Sequence, residues 1–158
     1  MRNIIYILFG TVFILSSCHG NEDNQLFNEH AMLPNIFRFD TLQLKVMSSY
    51  INKKSGTMST LYANPFALSN AFKNDTSHKA GEVLALVTWK QQADSSWFGA
   101  DIPGDLQSVE IIKTTIAAKT ALITYKKYTG SNLSPAPDSL HQEGRIAYIL
   151  NQRPSVMP

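Results

Sequence analysis

Residues 82–90 read Glu-Val-Leu-Ala-Leu-Val-Thr-Trp-Lys. Val83, Ala85, Val87 and Trp89 fall on one side of an extended chain, and Leu84, Leu86 and Thr88 on the other. A run that is apolar on both sides predicts a central strand covered on both faces. The flanks supply its neighbours. Leu42, Leu44 and Val46 alternate with Gln43 and Lys45, which predicts a strand over 42–51. Asn52-Lys53-Lys54-Ser55-Gly56 is a turn signal, and 57–62 is rich in β-formers, so the two strands form a hairpin. Asn64-Pro65 starts a short helix over 65–72: Asn caps, and proline suits the first turn because it has no amide hydrogen to leave unpaired.

Downstream, 91–105 reads as a long connection that contains Pro103-Gly104. Two further strands follow, over 107–114 and 121–128, and 130–137 is a polar loop. Asp138 caps a C-terminal helix from 139 to about 152, with Leu140, Ala147 and Leu150 inward, and Pro154 ends it. Gly144 weakens that helix by about 1 kcal/mol relative to alanine. Upstream, Leu26, Met32, Leu33, Ile36 and Phe37 pack as a helical edge that Pro34 interrupts. The expected class is α+β and mostly β. It has an antiparallel sheet of about five strands, a short helix after the first hairpin and a C-terminal helix.

The N-terminus carries an address. Arg2 is followed by an apolar run from Ile4 to Leu15, broken only by Gly10 and Thr11. That run is shorter than the roughly 20 residues a membrane-crossing helix needs. With its charged start it reads as a secretory leader. Leu15-Ser16-Ser17-Cys18 has the order of a lipobox, in which the Cys18 thiol takes a diacylglyceryl thioether. The expected organisation is a signal peptide over 1–17, a lipidated and polar tether over 18–40, and one domain over 41–158. Each buried methylene adds about 0.8 kcal/mol, and two or more chains (palmitate, for example) hold stably. The expected location is the bacterial cell envelope, with the domain outside the cytoplasm and a membrane as partner through Cys18.

Cys18 is the only cysteine. The remaining domain therefore has no disulfide, no thiolate metal site and no cysteine nucleophile. About 140 residues follow the cut, enough to bury roughly 68–70% of the unfolded surface. The formal charge of +2 falls to +1 without Arg2, too little for nucleic-acid binding. Nucleotide loops and nucleophile elbows are absent. His19, His30, His78 and His141 lack metal-ligand spacing and belong in loops or on solvated faces. Glu82 and Glu110 read as solvated strand-edge carboxylates. The connection after β-rich 82–90 carries Asp94, Asp101 and Asp105 beside two tryptophans. Trp89, Trp97, Phe98 and Asp101 are the candidate pocket for an unknown small ligand, although tryptophan more often packs.

Four segments, in order, resemble a known family. They are Thr57-Met58-Ser59-Thr60-Leu61-Tyr62-Ala63-Asn64, Glu82 to Gln92, Trp97-Phe98-Gly99-Ala100-Asp101-Ile102-Pro103-Gly104 continuing to Glu110, and Tyr148 to Pro158. Together they resemble the cytochrome P-460 family in its haem-free, often lipoprotein branch, from about Thr57 to Pro158. The resemblance implies a mostly β periplasmic domain, often a homodimer. Haem-bearing members attach haem through Cys-x-x-Cys-His near the C-terminus; some oxidise hydroxylamine, and relatives bind nitric oxide. This chain lacks that motif, so no haem ligand carries over, and neither does the lysine that some members cross-link to haem. Fold does not imply function. Three readings follow: a haem-free binding or interaction module without a cofactor; an oxidoreductase or gas sensor with non-covalent haem on His78 or His141; or a small hydrolase using the loop carboxylates. The anchor has its own test: Cys18→Ser is expected to move the protein from the membrane to the soluble fraction, and unchanged membrane retention would contradict the lipobox.

Overall fold

The computed structural model describes residues 28–37, 39–73, 77–117, 120–130, 132–137 and 142–155. Cys18, His19, Leu26, Asp138, Leu140 and His141 lie outside them, as do the leader and most of the tether. The described elements run β1 (Lys45–Asn52), β2 (Thr57–Ala63), α1 (Pro65–Phe72), β3 (Val83–Ala93), β4 (Asp101–Ala117), β5 (Thr120–Thr129), β6 (Ser134–Pro135) and α2 (Gln142–Leu150). Two 3-10 turns, Glu29–Ala31 and Asn35–Phe37, precede them. All six strands form one antiparallel sheet in the order β1-β2-β3-β4-β5-β6. The domain is therefore α+β and mostly β, with five long strands and a two-residue sixth. Among the described residues no helix is long and apolar enough to cross a membrane.

The apolar character of β3 on both sides matches two cores. Leu84 and Leu86 join Met47, Leu61, Ala63, Ala67, Ile112 and Ile149 beneath the two helices. Val87 and Trp89 join Phe37, Val109 and Leu133 on the opposite face. There the N-terminal segment forms the cover. Phe37 meets Tyr128 edge-on at 5.2 Å, Phe39 meets Tyr62 at 5.1 Å, and the Trp89 indole donates to the Ala31 carbonyl at 2.8 Å. Within that segment Phe37 is buried, whereas Met32 and Ile36 stay exposed. The expected helical edge is instead two short turns around Pro34.

The first corner forms as the residues predict. Asn52 Oδ1 accepts the amides of Lys54 and Ser55, and Gly56 takes a positive φ of 61° to close the β1–β2 turn. Asn64 caps α1 through the Ala67 amide at 3.0 Å, and Pro65 takes the first turn. The same side chain donates to Gly81 O at 2.8 Å and accepts from the Val83 amide at 3.3 Å. One asparagine thus fixes the helix start and the entry to β3.

Two expectations need correction. The connection 91–105 is mostly strand: Gln91 pairs with Pro103 and Ala93 with Asp101, so only 94–100 form the turn. Pro103-Gly104 marks a bulge rather than a break. Lys90 falls between the pairs Trp89↔Leu106 and Gln91↔Pro103, so Gly104 and Asp105 together oppose it. A bulge bends the strand and raises its twist. Space there is tight, since an added Cβ would lie 3.1 Å from the Lys90 carbonyl oxygen and 3.0 Å from Gln92 Cβ. In α2, Ala147 is exposed, while Ile146 and Ile149 pack inward with Leu150. Gly104→Val is expected to lower stability in urea by about 1–3 kcal/mol, the usual cost of overpacking. An unchanged midpoint would mean the bulge has room to spare.

Candidate functional site

Sequence reading placed Trp89, Trp97, Phe98 and Asp101 in one pocket wall. The structure separates them. Trp89 is core. Trp97 and Phe98 stand at the β3–β4 turn, 72% and 109% exposed. Asp101 opens β4 on the surface, where its Oδ2 accepts from the Gln91 side-chain Nε2 at 3.4 Å. Asp94 accepts the Ser96 amide at 2.8 Å, and Asp105 faces His30 at 3.4 Å with both side chains largely in water. These carboxylates serve turns and surface contacts and do not converge on a cavity.

The buried acids are the two that were expected in solvent. Glu110 is 1% exposed and Glu82 4% exposed. Both lie on the helix-facing side of the sheet. Much of their cover arrives from the helices, through Asn70 for Glu82 and Arg145 for Glu110.

Glu110 is fully engaged. Arg145 of α2 donates through Nε to Oε2 at 2.8 Å and through Nη2 to Oε1 at 2.7 Å. The Tyr125 hydroxyl donates to Oε2 at 2.6 Å. Such two-pronged charged pairs are the strongest side-chain hydrogen bonds. Burial pushes the Glu110 carboxyl up, but the bonds from Arg145 and Tyr125, with the charges of Arg145 and Lys127, outweigh it and hold the group below its ordinary value. Burial and then the bond to Glu110 drive the Tyr125 hydroxyl far up. The bond to Glu110 raises Arg145 further. This trio is a pin for α2 rather than a reaction centre.

Glu82 has a different setting. Asn70 of α1 donates to Oε1 at 2.7 Å, and His78 Nδ1 lies 3.4 Å from Oε2. Helix α1 supplies the amide, the segment before β3 supplies the imidazole, and the chain after α2 closes the far side. Together they bound a cleft of about 70 Å³ lined by Met47, Leu84, Asn70, His78, Glu82 and Arg153, among others. A backbone bond from the Ser155 amide to Met47 O at 2.9 Å ties the outer wall to β1, next to the irregular register of Val46 and Ser48. Beside Glu82 in the sheet, Thr114 exchanges backbone bonds with Glu82 and Gly81. Its buried hydroxyl has no hydrogen-bond partner among the described residues.

The cleft brings an acid, an imidazole and an amide to one opening walled in part by Met47 and Leu84. It has room for a few waters or a small polar molecule, since one water needs about 10–15 Å³. Cofactor and drug-sized pockets run to roughly 300–1,000 Å³, so the cleft beside His78 is of a smaller class. The other ligand named for non-covalent haem, His141, lies outside the described residues. No cluster of three or more His, Cys, Asp or Glu gathers as a metal site among the described residues.

Sequence reasoning missed this cleft because its acid was assigned to solvent. The available signal was Glu82 opening a doubly apolar strand, which places a carboxylate at the rim of a core. Comparison with protein-family models and with curated proteins gives no match.

The Glu110 pin predicts a pH dependence. A carboxylate whose folded value is depressed adds stability above its unfolded value, and that contribution is lost as pH falls through the folded value. Wild-type stability is expected to drop below about pH 4.3, and Glu110→Gln to flatten that drop. Arg145→Met is expected to cost about 3 kcal/mol at neutral pH, the lower end for a broken buried pair, because Arg145 is 39% exposed. The cost shrinks once Glu110 is protonated. Equal cost at pH 7 and pH 2.5 in chemical denaturation would contradict this account.

Proposed function

We propose that this protein is a lipid-anchored binding module of the bacterial cell envelope, with a cytochrome P-460-like domain that works without covalent haem. The reading rests on the leader and lipobox at Cys18, on the four segments that resemble the family, and on the missing Cys-x-x-Cys-His. The observation that carries the binding role is the Glu82 cleft. A nearly buried carboxylate, held by Asn70 on one oxygen and His78 beside the other, lines the cleft with oriented polar groups. Its size and chemistry suit a small polar ligand that presents a donor or a positive charge to Glu82. Largely pre-formed clefts with a few convergent polar groups are the usual form of a small-molecule site.

The test is a thermal-shift screen of the full chain against small amines, amino acids and guanidinium compounds, with haemin as a separate arm. A saturable stabilisation that disappears in Glu82→Gln is expected. Stabilisation that survives Glu82→Gln, or none from any compound, would remove the cleft from the proposal. A stoichiometric Soret shift with haemin, lost in His78→Ala, would replace the reading with a non-covalent haem protein.

A further inference from the structure

The β3–β4 turn displays Trp97 and Phe98 to solvent on a built scaffold. The Asp94 amide donates to Ala100 O at 2.9 Å and the Ala100 amide to Trp97 O at 3.1 Å. Asp94 Oδ1 takes the Ser96 amide, and Gly99 adopts a φ of 80° that other residues avoid. Two adjacent aromatic rings at 72% and 109% exposure leave a large apolar area in water.

The entry of the chain lies at the same end of the sheet. Asn28, the first described residue, donates from Nδ2 to Pro103 O at 2.8 Å. Pro103 is two residues into β4, or about 7 Å along the strand from its start. His30 then faces Asp105, and Ala31 receives the Trp89 indole, so the segment runs along this hairpin away from its tip. Nine residues lie between Cys18 and Asn28, and the ten steps from one to the other span at most about 33–36 Å. A membrane that holds Cys18 is therefore within reach of the turn.

We infer that the Trp97–Phe98 turn inserts into the interface of the membrane that holds Cys18, as a second contact that sets the orientation of the domain. This rests on the lipid-anchor reading. Tryptophan and phenylalanine at the headgroup boundary suit its mixed polarity. Asp94, Asp101 and Asp105 around the turn favour a zwitterionic surface over an anionic one.

The test uses the full lipidated chain in phosphatidylethanolamine–phosphatidylcholine vesicles, with ordinary or brominated acyl chains. Wild type and Trp97→Phe are compared, so that the difference reports Trp97 while buried Trp89 stays in place. Loss of the Trp97 emission in brominated vesicles is the expected result. Phe98→Ser is expected to weaken that quenching while the protein stays with the vesicles. Equal Trp97 emission in both vesicle types, with the protein still bound, overturns the insertion and leaves the anchor standing. Trp97 shielded from aqueous iodide yet unquenched by bromine overturns it in favour of a protein partner or a second copy. A lipidated chain that fails to associate with vesicles overturns the anchor and the insertion together.

Discussion

The contact between Glu110 and Arg145 holds the helix-facing half of the molecule in place. β4 puts a carboxylate in the middle of an apolar sheet face, where an unpaired charge costs several kcal/mol. Among the described residues its charged hydrogen-bond partner is Arg145 of α2. The position and roll of α2 are thereby fixed, and with them Ile149 and Leu150 over Leu84 and Ile112. The chain after α2 inherits that position. It reaches β1, where Ser155 bonds to Met47, and forms the outer wall of the Glu82 cleft. The cleft thus depends on a bond made at the far side of the same sheet face.

The opposite face is closed by different means. The one charged contact given between the described 3-10 turns and the sheet, His30 with Asp105, lies largely in water. Phe37, Phe39 and Leu33 pack against Tyr128, Tyr62 and Val87, and one indole bond to Ala31 sets the register. A face held by aromatic packing and single hydrogen bonds such as those of Trp89 and Asn28 tolerates small shifts that a two-pronged ion pair does not. The sheet is accordingly fastened to its helices by directional chemistry and to its N-terminal cover by area.

Much of the frame was legible because its signals are local. Asn64-Pro65 states a helix start, Asn52 to Gly56 a turn, and 82–90 a doubly covered strand. All three lie where the residues put them. The extension of β3 and β4 was missed because Gln91, Gln92 and Asp94 carry no apolar alternation, and because Pro103-Gly104 reads as a breaker. Backbone pairing with a neighbour, which needs no apolar side chain, carried the hairpin onward. The acids were missed for a different reason. Arg145 lies 35 residues beyond Glu110, and no local pattern links them. Trp89 was legible as core by its place in the strand, while Trp97 differs from it only through the turn that carries it.

The sheet has its strands in chain order, each paired with the one made before it. A chain that emerges from a channel N-terminus first can therefore lay down the sheet one hairpin at a time, without waiting for distant partners. Its helix-facing side cannot follow the same schedule. Until residue 145 emerges, Glu110 has no guanidinium to receive it, and the face around Ile112 must stay wet or borrow a proton. The last step of assembly is then a docking event rather than a pairing event. Any factor that guards this protein during synthesis has one surface to shield, and it is the surface on which the cleft later forms.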